Sequence, residues 1–222
     1  MPLVTIRPQR ASSTSPRSGL GSAICQHELA REEPEVLLVV GAGGLAPHVI
    51  AAHCAARPSI SRIMVWNRTP ARARTLQATL AKEGVTIETV SDLDAALAVA
   101  DVISCVTMSN APLVKGALLK PGAHLDLVGA YRPDFREGDD ICMTRGTVFV
   151  DTRNGMQSAG DLCQPVAADV IGWDAVQADD YDLAQGRHSG RNNDTQITVC
   201  KNVGGGHLDL FAAQALMARL AA

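Results

Sequence analysis

Net charge of either sign is nearly missing from this sequence of 222 residues: 20 basic side chains against 23 acidic ones leave a formal charge of -3. So balanced a chain carries no electrostatic footprint for nucleic acid and none for an anionic membrane surface. Cysteine pairs are lacking too. Cys25, Cys54, Cys105, Cys142, Cys163 and Cys200 stand apart with no CxxC among them. That spacing indicates neither a disulfide framework nor a zinc site, and makes a reducing, cytoplasmic setting the default. Residues 1–19 hold three arginines, three prolines and no acid, without the apolar core of a secretory signal or a clear amphipathic stripe. They read as a disordered or truncated leader. Residues 36–56 are nearly free of charge and long enough to imitate a membrane span, but their glycines, Pro47 and two histidines argue against one. What is present is 46% apolar residues, enough for one substantial core, or one domain with an appendage.

The stretch from Val36 to Ile50 carries the strongest signal. Val36 to Val40 is an apolar run of strand length, and Leu45, Val49, Ala52 and Ala56 follow at helical spacing. Between them Gly41 permits a tight turn, Gly43 lets the backbone approach a pyrophosphate, and Ala46 stands where helix must pack closely on strand. The helix, starting near Gly44 with Pro47 in its first turn, presents free N–H groups and a partial positive charge to an anion. The pattern predicts a dinucleotide site. At the end of the next strand an NAD-binding chain usually places an acid against the ribose hydroxyls. Here stand Asn67, Arg68 and Thr69, with Arg72 at the start of the following helix. A neutral amide and a planar guanidinium suit a 2′-phosphate, so the expected cofactor is NADP(H).

Further along, Ala73, Leu76 and Leu80 mark a helix face that Gly84 ends, and residues 85–90 read as a third strand. Ser91 with Asp94 resembles a capping box before the stripe Leu93, Ala96, Leu97 and Ala100. Residues 101–106, 123–128 and 147–150 read as a fourth, fifth and sixth strand, and 197–200 as a short one before Lys201-Asn-Val-Gly-Gly-Gly206 and a last helix carrying Leu208, Phe211, Ala212, Ala215 and Leu216. Strands alternating with helices predict an α/β fold: a Rossmann-type, doubly wound, mostly parallel sheet with helices on both faces. The expected division is a leader over 1–19, the dinucleotide domain over 20–205 and a C-terminal helix over 206–222. Ligands bind such sheets at the carboxyl ends of the strands, which singles out Thr107 and Met108 after the fourth strand and residues 129–133 after the fifth as nicotinamide contacts. Asp151 and Thr152 after the sixth read as structural. Asp179, Asp180 and Asp182 read as a solvated loop. No metal site is expected: His48 and His53, five apart on one helix, do not share a face, and His124 and His207 read as packing or surface residues.

The chain resembles the ornithine cyclodeaminase/mu-crystallin family, and within it the NADP(H)-dependent ketimine reductases. The matching pieces are Gly41-Ala-Gly, Val65-Trp-Asn-Arg-Thr69, Val106-Thr-Met108, Gly122-Ala-His-Leu-Asp-Leu-Val-Gly129, Arg132-Pro-Asp-Phe-Arg-Glu137 and Val199-Cys-Lys-Asn-Val-Gly204. The resemblance implies phosphate contacts at Gly41, Ala42, Gly43, Gly44 and Leu45, and an adenosine-phosphate site at Asn67, Arg68, Thr69 and Arg72. It implies a nicotinamide site at Thr107, Met108, Val128, Gly129 and Tyr131, with Lys201 and Asn202 close by and Val203 beside the substrate. The implied reaction is reduction of a cyclic imino acid, Δ1-pyrroline-2-carboxylate or Δ1-piperideine-2-carboxylate, to proline or pipecolate. A homodimer is the implied assembly.

Two departures from the family stand out. Where the cyclodeaminase branch has a proton-transferring aspartate, this chain has Tyr131, and a phenol of pKa about 10 is a poor base at neutral pH. Ornithine deamination is therefore the lesser expectation, with Tyr131 retained as the candidate catalytic side chain. The family's amino-terminal domain, which grips the substrate carboxylate and builds most of the subunit interface, has no match here; a remnant of that second domain is expected, and Arg7, Arg10 and Arg17 do not align with its basic residues. A non-catalytic NADP(H)-binding protein of the mu-crystallin kind is the third reading.

Overall fold

The computed structural model describes residues 28–206 together with Leu210, Gln214 and Met217. The leader read over 1–19, Cys25, His207 and the apolar stripe of the last helix lie outside the described residues. Eight strands follow one another as β1 (Val36–Val40), β2 (Arg62–Trp66), β3 (Glu88–Thr89), β4 (Val102–Cys105), β5 (His124–Leu127), β6 (Thr147–Val150), β7 (Val176–Asp179) and β8 (Thr198–Lys201). They are joined through α1 (Ala46–Ala56), α2 (Pro70–Lys82), α3 (Leu93–Val99), α4 (Asp140–Arg145), α5 (Gly160–Ala167) and α6 (Asp180–Ala184).

All eight strands lie in one sheet, ordered β3-β2-β1-β4-β5-β8-β6-β7. The pairings are parallel throughout, not mostly so. Because side chains alternate along a strand, Leu38, Val40, Ile103 and Cys105 enter one core while Leu37, Val39 and Val102 enter another on the opposite face. Helices α1 and α2 cover the second face with Ala46, Val49, Ile50, Ala73, Leu76 and Leu80. The first is covered by α3, α4 and α5 through Ala96, Leu97, Cys142, Met143 and Leu162. With both faces covered, β4, β5 and β8 are buried at every position.

Several local expectations shift. Helix α1 starts at Ala46, with Leu45 as its N-cap, so its buried face is Ala46, Val49, Ile50 and His53 rather than a stripe through Leu45, Ala52 and Ala56. The N-cap of α3 is Asp92, whose carboxylate accepts from Ala95 N at 3.0 Å, in place of a Ser91–Asp94 box. Only Glu88 and Thr89 of the expected third strand pair with β2, although Val85 and Ile87 are buried. The apolar pattern there recorded burial, not strand pairing. Asp179, Asp180 and Asp182 are not a solvated loop: Asp179 and Asp182 form a capping box that starts α6, and Asp180 is buried. Cys54, Cys105, Cys142 and Cys163 are free, whereas Cys200 is disulfide-bonded.

Candidate active site

The chain runs outward from β1 and turns at β4, so the carboxyl ends of β2, β1, β4, β5 and β8 adjoin along one edge of the sheet, where such folds open a crevice. Gly41 leaves β1 with φ +118°, and a Cβ there would stand 2.8 Å from Val106 O. Only glycine tolerates both the angle and the approach. Gly41 N donates to Trp66 O at 2.8 Å, and Ala42 N to Asn67 Oδ1 at 3.0 Å, which locks the loop to the tip of β2. The N–H groups of Gly43, Gly44 and Leu45 donate to no described protein group, and space beside Gly43 and Gly44 is open. A loop with three uncommitted donors at the head of α1 fits a pyrophosphate.

Asn67 is thus a structural tie as much as a candidate contact, since its Nδ2 also donates to Thr69 O at 2.9 Å. Thr69 is the N-cap of α2 without a side-chain cap bond, and Pro70 pre-sets the first turn. Arg68 and Arg72 are exposed, with no carboxylate paired to either among the described residues. The two guanidinium groups remain available to an anion.

After β4 and β5 the loops nearly touch: a Cβ on Gly129 would lie 1.7 Å from Thr107 O. Between them sits Glu137, fully buried and absent from the residues the sequence singled out individually. Its Oε1 accepts from Thr107 N at 2.6 Å and Thr107 Oγ1 at 2.9 Å, and its Oε2 from Gly129 N at 2.6 Å and Ala130 N at 3.3 Å. Burial pushes the Glu137 carboxyl up to about 7; Lys201 and the N–H donors oppose that, and Asp161 adds to it. Val128 is buried, while Met108 and Tyr131 are 68% and 54% exposed, so both side chains face open space beside the loops. The Tyr131 ring stands edge-on to Phe135 at 5.8 Å.

Lys201 closes β8 and Asn202 follows it at the same edge, but the Lys201 amine and the Asn202 amide nitrogen are engaged below it. Lys201 is fully buried, donates to Leu127 O at 3.1 Å and lies 3.3 Å from Asp161 Oδ2. Asn202 donates to Asp126 Oδ1 at 2.8 Å. Asp126 also accepts from Ser104 Oγ at 2.8 Å and faces His53 Nε2 at 3.3 Å, so a buried polar line crosses from α1 through β5 and β4 to β8. Val203 N donates to Asp151 Oδ1 at 2.7 Å, and Gly204 N and Gly205 N donate to its Oδ2 at 3.0 and 2.9 Å. Asp151 therefore holds the turn after β8, the structural part expected of it. Behind it burial lifts the Asp180 carboxyl to about 8, helped by Asp151, Asp179 and Asp126.

Sequence reading missed Glu137, Asp161, Asp126, His53 and Asp180. Asp126 had a signal: an acid between Leu125 and Leu127 in a core strand requires partners. Glu137 and Asp161 had none, because their hydrogen-bond partners lie 7 to 30 and 23 to 24 residues away. Among the described residues no group of His, Cys, Asp and Glu could hold a metal ion, and no helix is long and apolar enough to cross a membrane.

Comparison with known proteins fits this geometry. The chain is 45% identical over 205 residues to Protein SAR DEFICIENT 4 of Arabidopsis thaliana, covering 90% of this chain and 62% of that one. It is 40% identical over 201 residues to the Delta(1)-pyrroline-2-carboxylate reductase of Paracoccus denitrificans, with the same 90% and 62% covered. Among solved structures, the Delta(1)-pyrroline-2-carboxylate reductase of Thermococcus litoralis, in complex with NADH and L-proline, superposes with a TM-score of 0.87 at 28% identity, covering 91% of this chain and 63% of that one. The chain thus spans less than two thirds of the length of these relatives. The model of the ornithine cyclodeaminase/mu-crystallin family matches residues 9–221, and the chain belongs to that family.

Proposed function

We propose that this chain forms the nucleotide-binding part of an NADP(H)-dependent reductase of cyclic imino acids, acting on Δ1-pyrroline-2-carboxylate or Δ1-piperideine-2-carboxylate to give proline or pipecolate. The observation that carries the coenzyme choice is the tip of β2, where Asn67 is committed to the glycine loop and Arg68 stands exposed with no acid paired to it among the described residues. The names of the two reductase relatives support the substrate class. Bound NADPH supplies a hydride to the C=N carbon. Gly43, Gly44 and Leu45 hold the pyrophosphate by backbone N–H groups, and Arg68 and Arg72 take the 2′-phosphate. Thr107, Met108, Val128 and Gly129 border the nicotinamide end and fix its orientation, which is where most of the protein's catalytic contribution lies. Tyr131 shapes the substrate side or donates a hydrogen bond there, with Val203 beside it. The assembly proposed is a homodimer in a cytoplasmic setting; four free thiols favour that setting, and the bonded Cys200 is the exception to it.

Titration with NADPH and NADH tests the coenzyme choice, and equal affinity for both refutes the role given to Arg68. Consumption of NADPH on addition of Δ1-piperideine-2-carboxylate tests the reaction. Ammonia release from ornithine would replace it with cyclodeamination, and tight NADPH binding without turnover would replace it with a binding protein.

A further inference from the structure

Four hydrogen-bond donors from two separate loops converge on one carboxylate at the edge of the sheet. Thr107 N and Oγ1 come from the loop after β4, Gly129 N and Ala130 N from the loop after β5, and Glu137 accepts all four. Glu137 is itself fixed from behind: its own N–H and that of Gly138 donate to Asp161 Oδ1 at 2.7 and 3.0 Å, and Asp161 faces Lys201 at 3.3 Å. All three charged side chains are fully buried. Burying two acids and one amine is costly, and it does not by itself favour stability over an apolar replacement. A carboxylate with four donors also leaves no acceptor capacity for substrate, so Glu137 is no proton donor or base in its ionised state.

We propose that Glu137 is a positioning residue that clamps the loops after β4 and β5 into a single rigid floor for the nicotinamide half of the cofactor, and that its ionisation sets the clamp. The inference rests on the reading of the crevice as an NADP(H) site. When Glu137 takes up a proton, the Thr107 hydroxyl is the one partner of the four that can accept it, and the N–H groups of Thr107, Gly129 and Ala130 then face a neutral carboxyl, which weakens each of their bonds by roughly half. The two loops are then held less tightly at Thr107 and Gly129. Besides Thr107 and the N–H groups, the titratable side chains that face Glu137 are Cys105 on β4, Asp161 on α5 and Lys201 on β8. Cys105 stays a thiol, since burial holds it well above the ordinary range. Burial, with Asp161, brings the Glu137 carboxyl up to about 7 against the pull of Lys201, so the clamp responds near neutral pH.

The test compares two probes on the full chain between pH 6 and 8.5: NADPH, and 2′-phospho-ADP-ribose, which keeps the 2′-phosphate and the pyrophosphate and lacks the nicotinamide ring. The ratio of the two affinities cancels titration of the shared 2′-phosphate, whose pKa is about 6. The ratio in the wild-type protein is expected to fall about tenfold between pH 8 and pH 6, as linkage to one proton near 7 requires. Glu137→Gln should lower it about tenfold at pH 8 and abolish its pH dependence, with 2′-phospho-ADP-ribose bound as before. Asp161→Asn, which removes a negative neighbour and leaves Lys201 to Glu137, should move the midpoint to lower pH, a shift that a purely structural role would not produce. A ratio flat with pH in the wild type, a midpoint unmoved by Asp161→Asn, or equal weakening of both probes in Glu137→Gln overturns the clamp. Should Glu137→Gln fail to fold, the wild-type and Asp161→Asn profiles still decide. Failure of the wild type to bind either probe overturns the dinucleotide reading, and the clamp with it.

Discussion

Arg68 stands exposed at the end of β2 with no carboxylate paired to it among the described residues, so its replacement removes a charge that those residues do not use. A charge-assisted contact to phosphate contributes about 1.5–3 kcal/mol, which converts to roughly ten- to a hundredfold in affinity. Arg68→Ala is therefore expected to weaken NADPH by that factor and to leave NADH within about twofold, as read by quenching or enhancement of nucleotide fluorescence. Gly41 makes a different kind of single-residue argument, through the backbone. Alanine there meets both a φ of +118° and the Val106 carbonyl at 2.8 Å. Strain of that kind costs about 1–3 kcal/mol and shifts the loop that carries the free N–H donors. Gly41→Ala should lower both the melting temperature and the affinity for either nucleotide. An unchanged affinity would detach the loop geometry from binding.

At the level of elements, the turn after β8 is held from β6, because one carboxylate, Asp151, accepts from the N–H groups of Thr152, Val203, Gly204 and Gly205. An amide has one acceptor oxygen where the carboxylate has two, and its NH2 would face donors. Asp151→Asn is thus expected to cost about 2–4 kcal/mol, by chemical denaturation, and to speed hydrogen exchange at residues 203–205 above that of β1. Protection unchanged at those residues would reject the tie. The same turn shows what can be read without coordinates. Local pattern announced β1, β2, β6 and the buried face of α2, because each is encoded in consecutive apolar residues or a single helical stripe. It also announced Gly41 and the tip of β2, whose chemistry sits within a few residues. Helices α4 and α6 escaped, being six and five residues long, and β7 escaped because Val176-Gln-Ala-Asp179 holds only two apolar residues, not a run. For His53 the sequence shows only that it shares no helix face with His48; its partner, Asp126, lies on β5, and nothing local links the two. The parts of the site that bind by backbone are legible; the buried charges that hold those parts in register come from contacts across the sheet.

Across the whole molecule those buried charges make stability depend on pH in a direction opposite to that of ordinary surface acids. Glu137 and Asp180 are held at about 7 and about 8 in the folded chain, against ordinary values of 4.5 and 3.8. In the unfolded chain both are ionised above pH 6.5, whereas the folded chain still retains protons. Raising the pH from 6.5 to 8 strips those protons from the folded state alone, so stability must fall across that window. The opposing groups add little there. Burial lowers His124 to about 3 from 6.5, so half of the unfolded imidazole is still protonated at pH 6.5, and completing its contribution up to pH 8 opposes the fall by only about 0.4 kcal/mol, the rest being lost as the pH falls below 6.5. Asp101 and Asp182, held below the usual carboxylate value of 3.8, likewise act only in acid. The nucleotide-free chain should therefore lose about 2 kcal/mol between pH 6.5 and 8, measured as the shift in urea unfolding at constant ionic strength. Asp180→Asn should flatten most of that slope, since its carboxyl carries the larger displacement from its ordinary value. A chain that gains stability on going from pH 6.5 to 8 would show that Glu137 and Asp180 are ionised throughout, and would remove the proton-linked behaviour assigned to the floor of the crevice.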